Sequence, residues 1–212
     1  LKVALKVVPK VMPKVMPRVR LKRTIRPMKN IAASLTLLLL TPLFISETLS
    51  QESDKASNQA PLAGVLNFYA MTANIGTAGQ PAPDQFTQVR DADYSAVINL
   101  AMPESANALA NEGEIVNALD MAYTHIPVPW DAPTAEHVKT FFDTMDALEK
   151  NDQHVLVHCA ANYRASVFTY KYLTLRKGLS AEEATTPLLK KWLPEMDANW
   201  LAVMALTIDK IE

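Results

Sequence analysis

Cysteine is nearly absent from this 212-residue sequence. Cys159 stands alone, and one thiol forms no internal disulfide, no CxxC redox pair and no cysteine-based structural zinc site. Glycine is scarce, with five residues in all, which excludes collagen-like and glycine-rich architectures. Histidine is limited to His125, His137, His154 and His158, and none of them has the HExxH spacing of a metalloprotease. The longest uncharged run of mainly apolar residues, Ile31 to Ile45, is short of the roughly 20 residues of a membrane-spanning helix. Acid is missing from the head of the chain, where the first acidic residue is Glu47.

The charges that are present are therefore split. Ten of the 21 Lys and Arg lie between Lys2 and Lys29, so the head carries +10; the remainder, with 11 basic and 22 acidic residues, carries -11. Such asymmetry marks segments with different fates. Residues 1–27 repeat Pro9, Pro13 and Pro17 at four-residue intervals, which prevents a continuous helix, and they read as a basic leader or a misassigned start. From Met28 the pattern changes. Lys29 supplies a positive start, Ile31 to Ile45 is an uncharged run of fifteen residues, and small residues follow near Thr48 to Ser50. That is the layout of a secretory signal peptide over residues 28–50. No cysteine follows to take a lipid, so the expectation is an exported protein, periplasmic or secreted, with no stable membrane anchor after cleavage. Residues 51–61 are polar and read as a linker. Residues 62–212 are the expected folded domain.

Overall, 49% hydrophobic and 20% charged residues are too apolar for a disordered chain. Short apolar segments alternate with helical spacing. Strands are expected at Asn74–Ala78, Ala96–Leu100, Ala122–Val128 and His154–His158. Helices are expected over Asp84–Arg90, Asn107–Leu119, Thr134–Lys150 and Arg164–Arg176, with a further one opened by Ser180 and Glu183 and a last one after Asp197. Gly79 suits a positive-φ turn before Pro81 and Pro83. The alternation predicts an α/β fold with a small, mainly parallel central sheet flanked by helices in three layers.

The chemistry concentrates in His154–Ser166. A buried strand ends at His158, Cys159 opens a tight loop, and a helix starts near Arg164. Ligands sit at the carboxyl ends of strands in open α/β sheets, and a helix N-terminus favours anions there. That setting lowers a thiol pKa and creates a nucleophile. Arg164 adds a planar fork for an oxyanion. Asn162 tolerates the left-handed conformation that such a cradle needs. Ala160, Ala161, Asn162 and Tyr163 would form the cradle, Ser166 could reach the sulfur, and His158 would order the loop. The bland alternatives are an inert core thiol and a surface arginine. Trp192 and Trp200 read as core, Trp130 as pocket wall or packing, and His125 and His137 have no partner visible in sequence.

The order His-Cys-loop-Arg-x-Ser resembles the signature loop of cysteine-dependent phosphatases. The wider set, Asn67-Phe68, Asn74-Ile75, Gly79-Gln80-Pro81, Val97–Leu100, His125–Val128, Ala132–Thr134 and His158–Arg164, resembles a bacterial dual-specificity-like branch also called beta-lactamase-hydrolase-like. The resemblance implies a phosphomonoester hydrolase that works through a phosphocysteine on Cys159. Arg164 would hold the phosphoryl oxygens and Asp131, 28 residues earlier, would act as general acid. No metal or organic cofactor is implied. Partners would be a phosphorylated small molecule or a phosphopeptide, and the acidic body disfavours nucleic acid. Four residues separate Cys159 from Arg164 where most cysteine phosphatases have five. Four is the rhodanese spacing, so sulfur transfer through a Cys159 persulfide, or a non-catalytic anion-binding module, stays open at this point.

Overall fold

The structure is a computed structural model, and it describes residues 62–212. The expected leader, signal segment and linker lie outside the described residues. Five strands form one sheet in the order β1-β2-β5-β3-β4. They are β1 (Tyr69–Ala70), β2 (Ile75–Ala78), β3 (Ala96–Asn99), β4 (Ala122–His125) and β5 (Val155–His158). β5 sits at the centre and runs parallel to β2 and β3, and β4 continues the parallel set; β1 alone among the described strands is antiparallel. Every residue of β2, β3 and β5 is buried, as both-faced strands of a parallel sheet must be.

Side chains alternate across β5. Val155 and Val157 join the core formed with α3 (Ala135–Glu149), α4 (Tyr163–Leu175), α6 (Ala198–Met204) and α7 (Ile208–Ile211). Leu156 joins the other core, beneath α1 (Gln85–Asp91) and α2 (Glu112–Asn117). α5 (Pro187–Trp192) lies beside α4. The result is the expected three-layer arrangement, helices on both faces of a mostly parallel sheet. Among the described residues, no helix is long and apolar enough to cross a membrane.

Local chemistry explains the element ends. Thr134 caps α3: its hydroxyl accepts from the His137 amide at 3.3 Å, and the His137 imidazole accepts from the Thr134 amide at 3.1 Å. An imidazole here completes a capping box usually closed by Glu or Gln, which gives His137 a partner that its sequence context did not show. The box expected at Ser180 also forms, with the Ser180 amide on the Glu183 carboxylate at 2.9 Å. It leads only to a turn, because Pro187 pushes Thr186 to an extended ψ of 155°, and the helix restarts at Pro187. The helix expected over Asn107–Leu119 is confined to Glu112–Asn117. Gly79 is not at positive φ; a Cβ there would meet the Leu66 side chain at 2.8 Å, so close approach is what selects glycine. Gly178 has φ 70° and follows the end of α4.

The larger core centres on an aromatic cluster. Phe141 is fully buried and meets Phe142, Phe168 and Tyr172 at centroid separations of 6.4, 5.6 and 6.3 Å. Phe141→Ala is expected to lower the unfolding free energy by about 3–5 kcal/mol, read from urea titrations. A loss below about 1 kcal/mol would show that this site collapses around the deletion.

Candidate active site

β5 delivers the chain to the carboxyl edge of the sheet, and the next four residues turn it into α4. Cys159 is a free thiol, 2% exposed, and its amide bonds the Ala78 carbonyl at 3.2 Å. The Ala160 carbonyl turns outward to the Gln80 amide at 3.3 Å and the Asn107 carboxamide at 2.8 Å. The Ala161 carbonyl accepts from the Asn67 carboxamide at 3.1 Å. Planarity of the trans peptide then points the Ala161 amide away from those anchors.

Asn162 reverses the chain at φ 74° in the left-handed region. Its buried carboxamide donates to the Asn67 carbonyl at 2.6 Å and the Thr77 hydroxyl at 3.2 Å, and accepts from Ser166 at 3.2 Å. It makes no side-chain cap, so the first-turn amides of α4, which have no intrahelical acceptor, take none from Asn162. The Ser166 hydroxyl, read from sequence as able to reach the sulfur, bonds Asn162 and, at 2.9 Å, Thr186 on the approach to α5. Tyr163 sets its ring edge-on to Trp192 at 5.0 Å and to Trp130 at 6.1 Å.

Arg164 is 8% exposed, and its Nε and Nη1 are buried with no hydrogen-bond partner. The guanidinium lies 5.8 Å from the Trp130 ring centroid. It opens on a cleft of about 270 Å³ that also holds Asp131, Trp130, Glu104 and Ser105. Asp131 is exposed there. Its position is set through the main chain: its carbonyl accepts from Asn199 at 2.9 Å and the Trp130 carbonyl accepts from the Trp200 indole at 2.9 Å. Trp130 therefore both packs, stacked on Trp192 at 5.4 Å, and lines the cleft with 40% of its surface exposed.

Behind the loop lies a polar cluster that sequence reading missed. His158, fully buried, donates from Nε2 to Glu112 at 2.9 Å. Glu112 also accepts from Asn99 at 2.9 Å and from Gln80. Burial raises the Glu112 carboxyl, yet the hydrogen bond and charge of His158, joined by Gln80 and Tyr123, hold it below the usual carboxylate value. Glu112 escaped notice because an acid at a helix start reads as an ordinary charged cap. Among the described residues, no group of three or more His, Cys, Asp or Glu is placed to hold a metal ion.

Comparisons with known proteins agree with this geometry. A family model described as "Polymorphic toxin system, DSP-PTPase phosphatase" matches residues 72–167. A DUF442 crystal structure from Shewanella putrefaciens CN-32, described as a phosphatase, is 32% identical, with TM-score 0.62 over 69% of this chain and 93% of that one. Tk-PTP in its active form is 19% identical, with TM-score 0.52 over 65% of this chain and 93% of that one. TpbA of P. aeruginosa, in complex with pTyr, is 16% identical, with TM-score 0.54 over 69% of this chain and 88% of that one. A search of curated proteins gives no match. With a loop of this shape at the end of β5, and a 32% identical structure spanned over 93% of its length, the chain belongs to the cysteine-dependent, dual-specificity and tyrosine phosphatase-like family that includes the DUF442 protein.

Proposed function

We propose that this phosphatase works through a phosphocysteine on Cys159. The thiolate attacks phosphorus, the bond from phosphorus to the leaving oxygen breaks, and Asp131 gives that oxygen its proton. Water, deprotonated by Asp131, then attacks the phosphocysteine, releasing inorganic phosphate and the thiolate. The observation that carries the reading is Arg164. A buried guanidinium with unpartnered N–H groups is costly unless an anion completes it, and it stands beside the uncapped start of α4. Both features converge one loop away from the thiol. Ser166 and Asn162 are assigned to holding the loop, and His158 to its support.

The cleft of about 270 Å³ favours a small phosphomonoester or a phosphorylated side chain. An aryl phosphate, like the pTyr in the TpbA complex, would set its ring against exposed Trp130. The folded segment from residue 62 onward holds 10 basic and 19 acidic residues, a net of -9, which repels long polyanions such as nucleic acid. We also assign this activity to an exported protein, supported by the signal layout of residues 28–50.

Purified protein is expected to release phosphate from an aryl phosphate. Cys159→Ser should lower kcat by about 10³-fold or more. Asp131→Asn should lower kcat by about 10²-fold on an alkyl phosphate and by clearly less on an aryl phosphate, whose leaving group needs little protonation. Thiocyanate formation from thiosulfate and cyanide, with no phosphate release, would replace this reading by sulfur transfer. For export, residues 1–61 fused to a reporter active only outside the cytoplasm should give signal. Retention of the fusion in the cytoplasm would overturn that assignment.

A further inference from the structure

We propose that Glu112 is a positioning residue of the Cys159 loop, one carboxylate that ties together the carboxyl ends of three parallel strands. The proposal rests on the cysteine-phosphatase reading. Glu112 stands on α2 with 2% of its surface exposed, and its carboxylate turns inward. One oxygen accepts from Asn99 at the end of β3 and from His158 at the end of β5, each at 2.9 Å. The other accepts from Gln80, two residues past β2.

Two of these donors are handles on the loop, and the third holds the chain that leads to the cleft. His158 immediately precedes Cys159 in the chain. The Gln80 amide holds the Ala160 carbonyl at 3.3 Å, so the Gln80 side chain and main chain together link Glu112 to the cradle. The Asn99 side chain accepts from the Ala101 amide at 2.7 Å, where the chain leaves β3 toward Ser105 in the cleft. Gln80 Nε2 also donates to the Pro81 carbonyl and Asn99 to the Tyr123 hydroxyl, at 3.3 and 3.2 Å, while Gln80 Oε1 and His158 Nδ1 are buried and unpartnered. An ionised carboxylate only accepts, so Nε2 of His158 must carry the proton and the ring cannot flip without stranding it. The titratable groups facing Glu112 are His158 from β5 and Tyr123 from β4, and His125 lines the same small cavity of about 220 Å³.

Glu112→Gln keeps the volume but sets an amide donor against the donors of Gln80 or His158. The full chain carrying E112Q is expected to lose kcat on an aryl phosphate by about 10- to 100-fold, because supporting groups behind a site act through aim. Its affinity for tungstate, titrated calorimetrically as an oxyanion probe, should fall about tenfold. Phe141→Ala, on α3 and outside the hydrogen-bonded cluster of Glu112, is the control for lost stability. Measured well below both melting temperatures, it should keep wild-type kcat and tungstate affinity. Gln80→Met is the second variant, and the double variant should be no worse than E112Q alone, since the Gln80 side chain acts through its contact with Glu112. Unchanged kcat and tungstate affinity in E112Q, or equal losses in F141A, would reduce Glu112 to a structural acid and overturn the proposal. If the wild type releases no phosphate, the phosphatase reading fails separately, and tungstate affinity still decides the role of Glu112.

Discussion

Asn162 turns the backbone at φ 74° while its side chain is clamped between the Asn67 carbonyl, the Thr77 hydroxyl and Ser166. The rest of the site hangs on that reversal. A left-handed residue between β5 and α4 turns the chain from Cys159 at the strand end into the helix that carries Arg164, with only four residues between them. Asparagine accepts this conformation at modest cost, and its buried carboxamide recovers the cost in hydrogen bonds. Because the carboxamide bonds β2 and the approach to β1, it does not also cap α4. The helix start is thereby left open to a ligand.

The period-two alternation of β5 has a second effect. It sends Cys159 into the apolar layer with α3 and α4, and His158 into the polar cluster under α1 and α2. The thiol is thus packed by hydrocarbon on one side of the sheet, while the charge that orders its neighbour is buried on the other. A parallel sheet with both faces covered makes such a separation available at adjacent residues.

Much of this was legible in the sequence, and the limits have physical causes. β5, the loop and α4 could be read directly, because an apolar run ending in His-Cys and resuming as a helix leaves few alternatives. The three layers followed from alternating segments. What escaped is what depends on contacts distant in sequence. His137 looked partnerless, yet it closes the cap of α3 with Thr134. The Ser180 box formed and stopped, since Pro187 outweighs a local capping signal. Glu112 reaches His158 across 46 residues, and no local period announces such a pair. Asn67 and Asn107 bind loop carbonyls from 94 and 53 residues away. Side chains that brace a loop from outside carry no mark in the loop itself.

The bonds from Asn199 and Trp200 to the segment at Trp130 and Asp131 go to carbonyl oxygens. They grip the frame and ignore its contents. Trp130 also packs its ring on Trp192 and Trp200, but whatever side chain stands at 131, α6 would hold the same path for it. Sequence change at position 131 is thus uncoupled from the placement of the rim. The fold can retune what its cleft meets without rebuilding the wall that presents it.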